Sequence, residues 1–206
     1  NGSELWKSDG TPDGTMLVED LRALTTTRPI SGAMTNLGGE LFFPVGQDWW
    51  KSDGTEEGTE KVKELSRATW LTDINGTLFF AFDNTGSNNE LWKRNGIGVG
   101  SFVLVKNIAD RGSSNPEQLT KSNNTLFFTA DVSPKGRELW KTDGTDAGTV
   151  LVKDINLVNS GAHSPTRDSN PRNLTDVNGT LFFTADDGIT GIELWKSDGT
   201  SDGTVR

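Results

Sequence analysis

One string of twelve residues recurs along this chain, and a chain that repeats itself must fold as an array of like units. Glu-Leu-Trp-Lys-(Ser/Thr)-Asp-Gly-Thr-x-x-Gly-Thr stands at Glu4–Thr15, Glu138–Thr149 and Glu193–Thr204. A variant runs Asp48–Thr59, with Trp49 in place of the Leu, and a looser one runs Glu90–Ser101, where Arg94-Asn95-Gly96 replaces Ser-Asp-Gly. A second string, (Thr/Glu)-Leu-Phe-Phe, falls between them at Glu40–Phe43, Thr77–Phe80, Thr125–Phe128 and Thr180–Phe183. The repeat is roughly 42–55 residues long, a period of propellers and solenoids.

The last full unit reads as a run of short strands. Arg172–Val177 alternates polar and apolar residues, as a half-buried strand does. Asn178-Gly179 follows, the favoured pair for a two-residue hairpin in which both positions need φ > 0. Thr180–Ala185 is a second strand, Asp186–Gly191 a polar loop, Ile192–Lys196 a third strand and Asp198–Gly203 a turn. In the preceding unit Val150–Ile155 supplies the fourth strand. In Thr125–Ala130 both alternating sets carry bulky apolar residues, so such a strand is covered on two sides. Stacked four-stranded antiparallel sheets meet that demand, and the Asn-Gly hairpins speak against the parallel strands of a solenoid.

The expected fold is therefore all-β, a β-propeller-like array of four-stranded antiparallel blades. The units fall at residues 33–65, 68–108, 117–155 and 172–206, behind a leading half-blade at 1–22. The variable stretches, such as that between Ile155 and Asn173, become links between blades, and Ser66–Thr69 becomes a tight one. Five copies of the first string against four of the second leave Glu4–Leu21 with no first and second strand of its own. Other subunits or adjacent repeats are the expected partners that complete it. Asn1 is not an initiator Met, and the chain stops three residues after Gly203, so it reads as processed or as part of a longer protein.

Composition narrows the function. The net charge of −9 disfavours nucleic acid and anionic membrane surfaces, which call for basic patches. The absence of Cys removes disulfides and thiolate zinc sites. No apolar run reaches the length of a membrane span, and no signal peptide is visible.

Asp9, Asp53, Asp143 and Asp198 each precede a Gly in the repeated turn. Their carboxylates can accept backbone N–H bonds two or three residues on, with Gly supplying the left-handed backbone. The second Gly is expected to mark a bulge at the start of the fourth strand. Calcium is the other reading of these Asp residues, because carboxylates and loop carbonyls are hard oxygen ligands. Trp6, Trp50, Trp92, Trp140 and Trp195 share one position of the repeat, where Trp serves either to pack blades together or as a platform for a sugar ring. Trp49 and Trp70 break the pattern and are the expected exposed aromatics; with Trp50 they form the candidate ligand or partner patch.

Asn-x-Ser/Thr sequons occur at Asn1, Asn75, Asn123, Asn173 and Asn178, three of them at hairpin turns. The single His, His163, lies in a variable link and reads as a solvated residue. No nucleophile elbow, phosphate loop or His-rich metal motif is present.

These residues resemble the bacterial repeat family named for its motif Glu-Leu-Trp-x-x-Asp-Gly-Thr, the ELWxxDGT repeat proteins. The resemblance covers nearly the whole chain, with the Asp48 and Glu90 copies departing from the pattern. It implies an exported, surface-associated bacterial protein with a propeller-like arrangement, and brings no defined enzymatic activity or ligand. The expectation is a non-enzymatic extracellular scaffold or adhesive module. A lectin-like module with shallow carbohydrate sites is the alternative, and a propeller glycoside hydrolase, which needs Arg, Asp and Glu clustered at the ring mouth, is the weaker one.

Overall fold

The structure, a computed structural model, describes residues 4–21, 34–46, 48–62, 65, 67–83, 86–95, 102–110, 112–158 and 168–206. It is all-β, with antiparallel sheets and almost no helix. Among the described residues no helix is long and apolar enough to cross a membrane.

The strands follow one another in sheets of sequential order. β1 (Leu5–Lys7) and β2 (Met16–Glu19) form a two-stranded sheet. β3 (Thr35–Leu37), β4 (Glu40–Val45), β5 (Asp48–Ser52) and β6 (Glu60–Val62) form the next. β7 (Thr69–Ile74), β8 (Thr77–Asp83), β9 (Asn89–Asn95) and β10 (Val103–Lys106) form another four-stranded sheet. So do β11 (Glu117–Ser122), β12 (Thr125–Val132), β13 (Gly136–Thr142) and β14 (Val150–Lys153). β15 (Arg172–Val177), β16 (Thr180–Asp186) and β17 (Ile192–Ser197) form a three-stranded sheet, where a single antiparallel bridge from Lys196 to Val205 stands in place of a fourth strand.

The hairpins between first and second strands have the backbone their sequences demand. Asn75 and Gly76 sit at φ 53° and 81°, Asn178 and Gly179 at 51° and 81°. Three of the first strands, β7, β11 and β15, also bulge. Trp70, Gln118 and Asn173 occupy equivalent positions at φ 58°, 55° and 58°, where the register to the second strand slips. The fourth strand β14 ends at Lys153, short of the expected Ile155, because the Ile155 N–H is taken by a side chain (below).

The chain forms two compact units, Asn1–Ala68 with Gly96–Gly98, and Thr69–Asn95 with Val99–Arg206. In the first, Leu5, Val18 and Leu21 pack with Phe43, Val45 and Trp50. In the second, the middle sheet buries both faces. Leu126, Phe128 and Trp140 pack with Ile74, Phe79 and Leu91 of the preceding sheet. Phe127 and Leu139 pack with Leu181, Phe183 and Trp195 of the following one. Strand alternation sends neighbouring side chains to opposite faces. The Leu-Trp pair of β13 is thus two-sided: Leu139 faces the following sheet and Trp140 the preceding one. Each fully buried Leu of this kind contributes about 1.5–3 kcal/mol.

The expected exposure of Trp49 is corrected. It takes the Leu position, is 5% exposed, and donates its Nε1–H to the Ala68 carbonyl at 2.6 Å, a bond that lets the indole be buried.

Candidate functional site

The repeated turn is present in several copies, and its chemistry is the same in each. Asp143 Oδ1 accepts the Thr145 N–H at 2.8 Å and the Thr145 hydroxyl at 2.7 Å. Thr145 Oγ1 in turn accepts the Gly148 N–H at 2.9 Å, and the Thr149 hydroxyl donates to the Thr145 carbonyl at 2.6 Å. Thr142 Oγ1 accepts the Gly144 N–H at 2.8 Å and shares a bond with Thr149 Oγ1. The turns at Asp9, Asp53 and Asp198 repeat this network. The Thr hydroxyl and N–H that point at each carboxylate hold Asp9, Asp53, Asp143 and Asp198 below the usual Asp range.

The second Gly has a different cause from the expected bulge. A Cβ on Gly148 would lie 2.0 Å from Asp143 Oδ1, and Gly14, Gly58 and Gly203 face their own Asp in the same way. These glycines lie in turns before the fourth strand, and they make room for the carboxylate. The same packing argues against calcium. Such an ion takes about six to eight oxygen ligands, whereas each Asp here faces hydroxyl and amide hydrogens. Among the described residues no three His, Asp or Glu side chains are grouped to hold a metal. The turn does not fit the ion.

Two further positions of the motif reach outward. The Lys side chain crosses to the next turn: Lys7 donates to the Gly54 carbonyl at 2.8 Å and Lys93 to that of Gly144 at 2.7 Å. The Glu holds the link that follows its sheet. Glu138 is wholly buried and accepts the Ile155 N–H at 3.1 Å, the Ser169 N–H at 3.1 Å and the Ser169 hydroxyl at 2.5 Å. Glu90 does the same with Ile108 and with the N–H and hydroxyl of Ser114. Burial raises both carboxyls; the three donors oppose it, and Glu138 comes to rest at about 7. Neither carboxylate is open to a substrate, and the upward shift of both comes from structural burial.

The reading from sequence missed this clamp. Its signal is a third repeated string, Ser-Asn-Pro, at Ser114–Pro116 and Ser169–Pro171. Its Asn takes φ of about 45°, 45° at Asn115 and 44° at Asn170. The Ser carbonyl accepts the N–H of Asp131 or Asp186.

The candidate aromatics do not assemble into one patch. Trp49 and Trp50 alternate across β5, and both are buried. Trp70 is 41% exposed at its bulge and lies in the other unit. Of the motif tryptophans Trp140 and Trp195 are buried, and only Trp6 is widely exposed. Trp50, Trp92 and Trp140 bury their indole Nε1 with no hydrogen-bond partner among the described residues, which marks them as packing groups. Grooves beside the turns are small. One of about 210 Å³ is lined by Phe79, Lys93, Asn124 and Thr142; its counterpart in the first unit, about 200 Å³, is lined by Trp6, Lys7, Asn36 and Ser52. Ligand pockets run from roughly 300 Å³ upward.

Arg137 gathers acidic groups, with Asp131 at 2.8 Å and Glu117 at 3.4 Å, while its backbone N–H donates to Asp168. The guanidinium is mostly buried, and it also bonds Thr129 Oγ1 and the Asn115 carbonyl. It is a fastener of the Ser-Asn-Pro link. In the divergent copy Arg94 is buried and lies over the Phe102 ring. His163 and the sequon at Asn1 lie outside the described residues. The chain matches no protein-family model and no curated protein.

Proposed function

We propose that the chain is a non-enzymatic repeat module, a structural or adhesive scaffold of a bacterial surface or multi-subunit assembly, arranged as a β-propeller-like array of the ELWxxDGT kind. One observation carries this reading: the chemically distinctive positions of the motif are consumed in holding the repeats together. Asp, Thr and Gly close the turn, Lys fastens one turn to the next, Glu clamps the link, and Leu and Trp face the neighbouring sheets. The acidic surface fits an extracellular setting, where net charge keeps a protein dispersed.

The lectin-like alternative is favoured by Trp70, an exposed aromatic on a bulge. A glycan array and a panel of glycoside hydrolase substrates separate the readings. The scaffold reading expects silence in both. Sugar binding abolished by Trp70→Ala would replace it with the lectin, and turnover of any glycoside would replace it with the hydrolase.

A further inference from the structure

The two-sided motif leaves two uncovered faces, and they are complementary. On β1 the Trp at the position that meets a preceding sheet is open: Trp6 is 54% exposed, against 7% for Trp140. Beside it Leu17, its partner on β2, is exposed as well. On β17 the Leu at the position that meets a following sheet is open: Leu194 is 62% exposed, against 0% for Leu91 and Leu139. Phe182 is half-buried there, whereas its equivalents Phe79 and Phe127 are buried.

The polar groups match in the same sense. A Cβ on Gly144 would meet Phe79 at 3.1 Å and Lys93 at 3.8 Å, and one on Gly199 would meet Phe127 and Lys141. These two turns therefore receive the Phe and Lys of the sheet before them, and the turn at Gly54 receives Lys7. The turn at Gly10 receives nothing within 4 Å. Phe182 and Lys196 are the Phe and Lys with no turn ahead of them; Lys196 is exposed.

We infer that the β15–β17 face of one copy of this chain docks on the β1–β2 face of a second copy, head to tail. Leu194 and Phe182 then cover Trp6 and Leu17, and Lys196 donates to the Gly10 carbonyl. This reuses the sheet-on-sheet contact that each compact unit already contains, with a second molecule as the neighbour. The contact is heterologous, so it extends into a ring or a filament rather than stopping at a symmetric pair. The Ser-Asn-Pro clamp is no part of the inferred contact, and Glu193 stays at its edge.

The inference rests on the scaffold reading but fails separately from it. A chain that is strictly monomeric and silent on glycans leaves that reading standing; glycan binding removes it whatever the mass. The test is sedimentation velocity of the whole chain over a wide concentration range. The wild type is expected to build species in steps of 22.3 kDa. Trp6→Ser and Leu194→Asp, both at exposed sites, each stop growth. An equal mixture of the two recovers a species of twice the chain mass and nothing larger, since each variant keeps one intact face. Lys196→Ala weakens association several-fold, and Glu193→Gln leaves it unchanged. A wild type that stays monomeric to its solubility limit overturns the inference. So does a mixture that fails to pair, or a Glu193→Gln variant that loses association, which would put a Ser-Asn-Pro repeat on this face instead.

Discussion

Replacing Gly148 by Ala tests whether the second glycine of the motif exists for the Asp carboxylate. The added Cβ would stand 2.0 Å from Asp143 Oδ1, closer than any non-bonded contact, so the carboxylate must leave. Its bonds to the Thr145 N–H and hydroxyl then break. An overpacked site costs about 1–3 kcal/mol, and loss of two solvent-facing bonds falls inside that range. In an Asp143→Ala background the clash is gone. Gly148 does not have a left-handed φ, so Ala there fits the backbone and stabilises by about 0.4–1 kcal/mol through the unfolded chain. The same substitution should change sign between backgrounds, with a coupling energy of about 1.5–4 kcal/mol. Urea denaturation followed by tryptophan fluorescence, on the four proteins of the cycle, reads it directly. An equal cost in both backgrounds would refute the steric account and return the glycine to a backbone role.

Other perturbations follow from the clamp and the two-sided strand. The Glu138 carboxyl is raised from 4.5 to about 7, so the folded state holds its proton more tightly than the unfolded chain. Its contribution is complete below about pH 4.5 and fades as pH rises through about 7, a loss of up to about 3 kcal/mol. Thermal melts at pH 5 and pH 8 should show this slope, and Glu138→Gln should flatten it. The turn Asp residues act oppositely: their lowered values give stability that is present above 3.8 and lost as pH falls below it. Ser169→Ala should cost about 1–3 kcal/mol by leaving a buried carboxyl short of a donor, and should move the Glu138 titration further upward. Leu139→Ala should cost about 2–5 kcal/mol, whereas Leu194→Ala, at the same motif position but exposed, should change monomer stability by less than about 0.5 kcal/mol. Equal effects at the two positions would remove the basis for calling Leu194 an uncovered interface residue.

The strand order, the Asn-Gly hairpins and the turn at Asp143 were legible in sequence because each depends on residues a few positions apart. Asx-turns and hairpins are local bonds, and a string that repeats names them several times over. The sequence points wrongly to an exposed Trp49 because departure from a pattern looks like departure from the core. What matters there is the parity of the strand position, and Trp49 keeps the parity of the Leu it replaces. Glu138 and Ser169 were invisible as a pair because they stand 31 residues apart, across a link of variable length.

Local patterning in the chain is enough to establish that this protein repeats, that its units are antiparallel strands, and that Asp-Gly-Thr closes a turn. Those are short-range consequences of φ preference, alternation and side-chain reach. Packing, by contrast, makes the motif Glu138 a buried clamp, sets Lys93 on the next turn, and turns Leu139 and Trp140 to opposite neighbours. The physical reason is that burial belongs to the packed neighbour and not to the residue: Leu139 and Leu194 are the same residue in the same string, one covered by the next sheet and the other left bare.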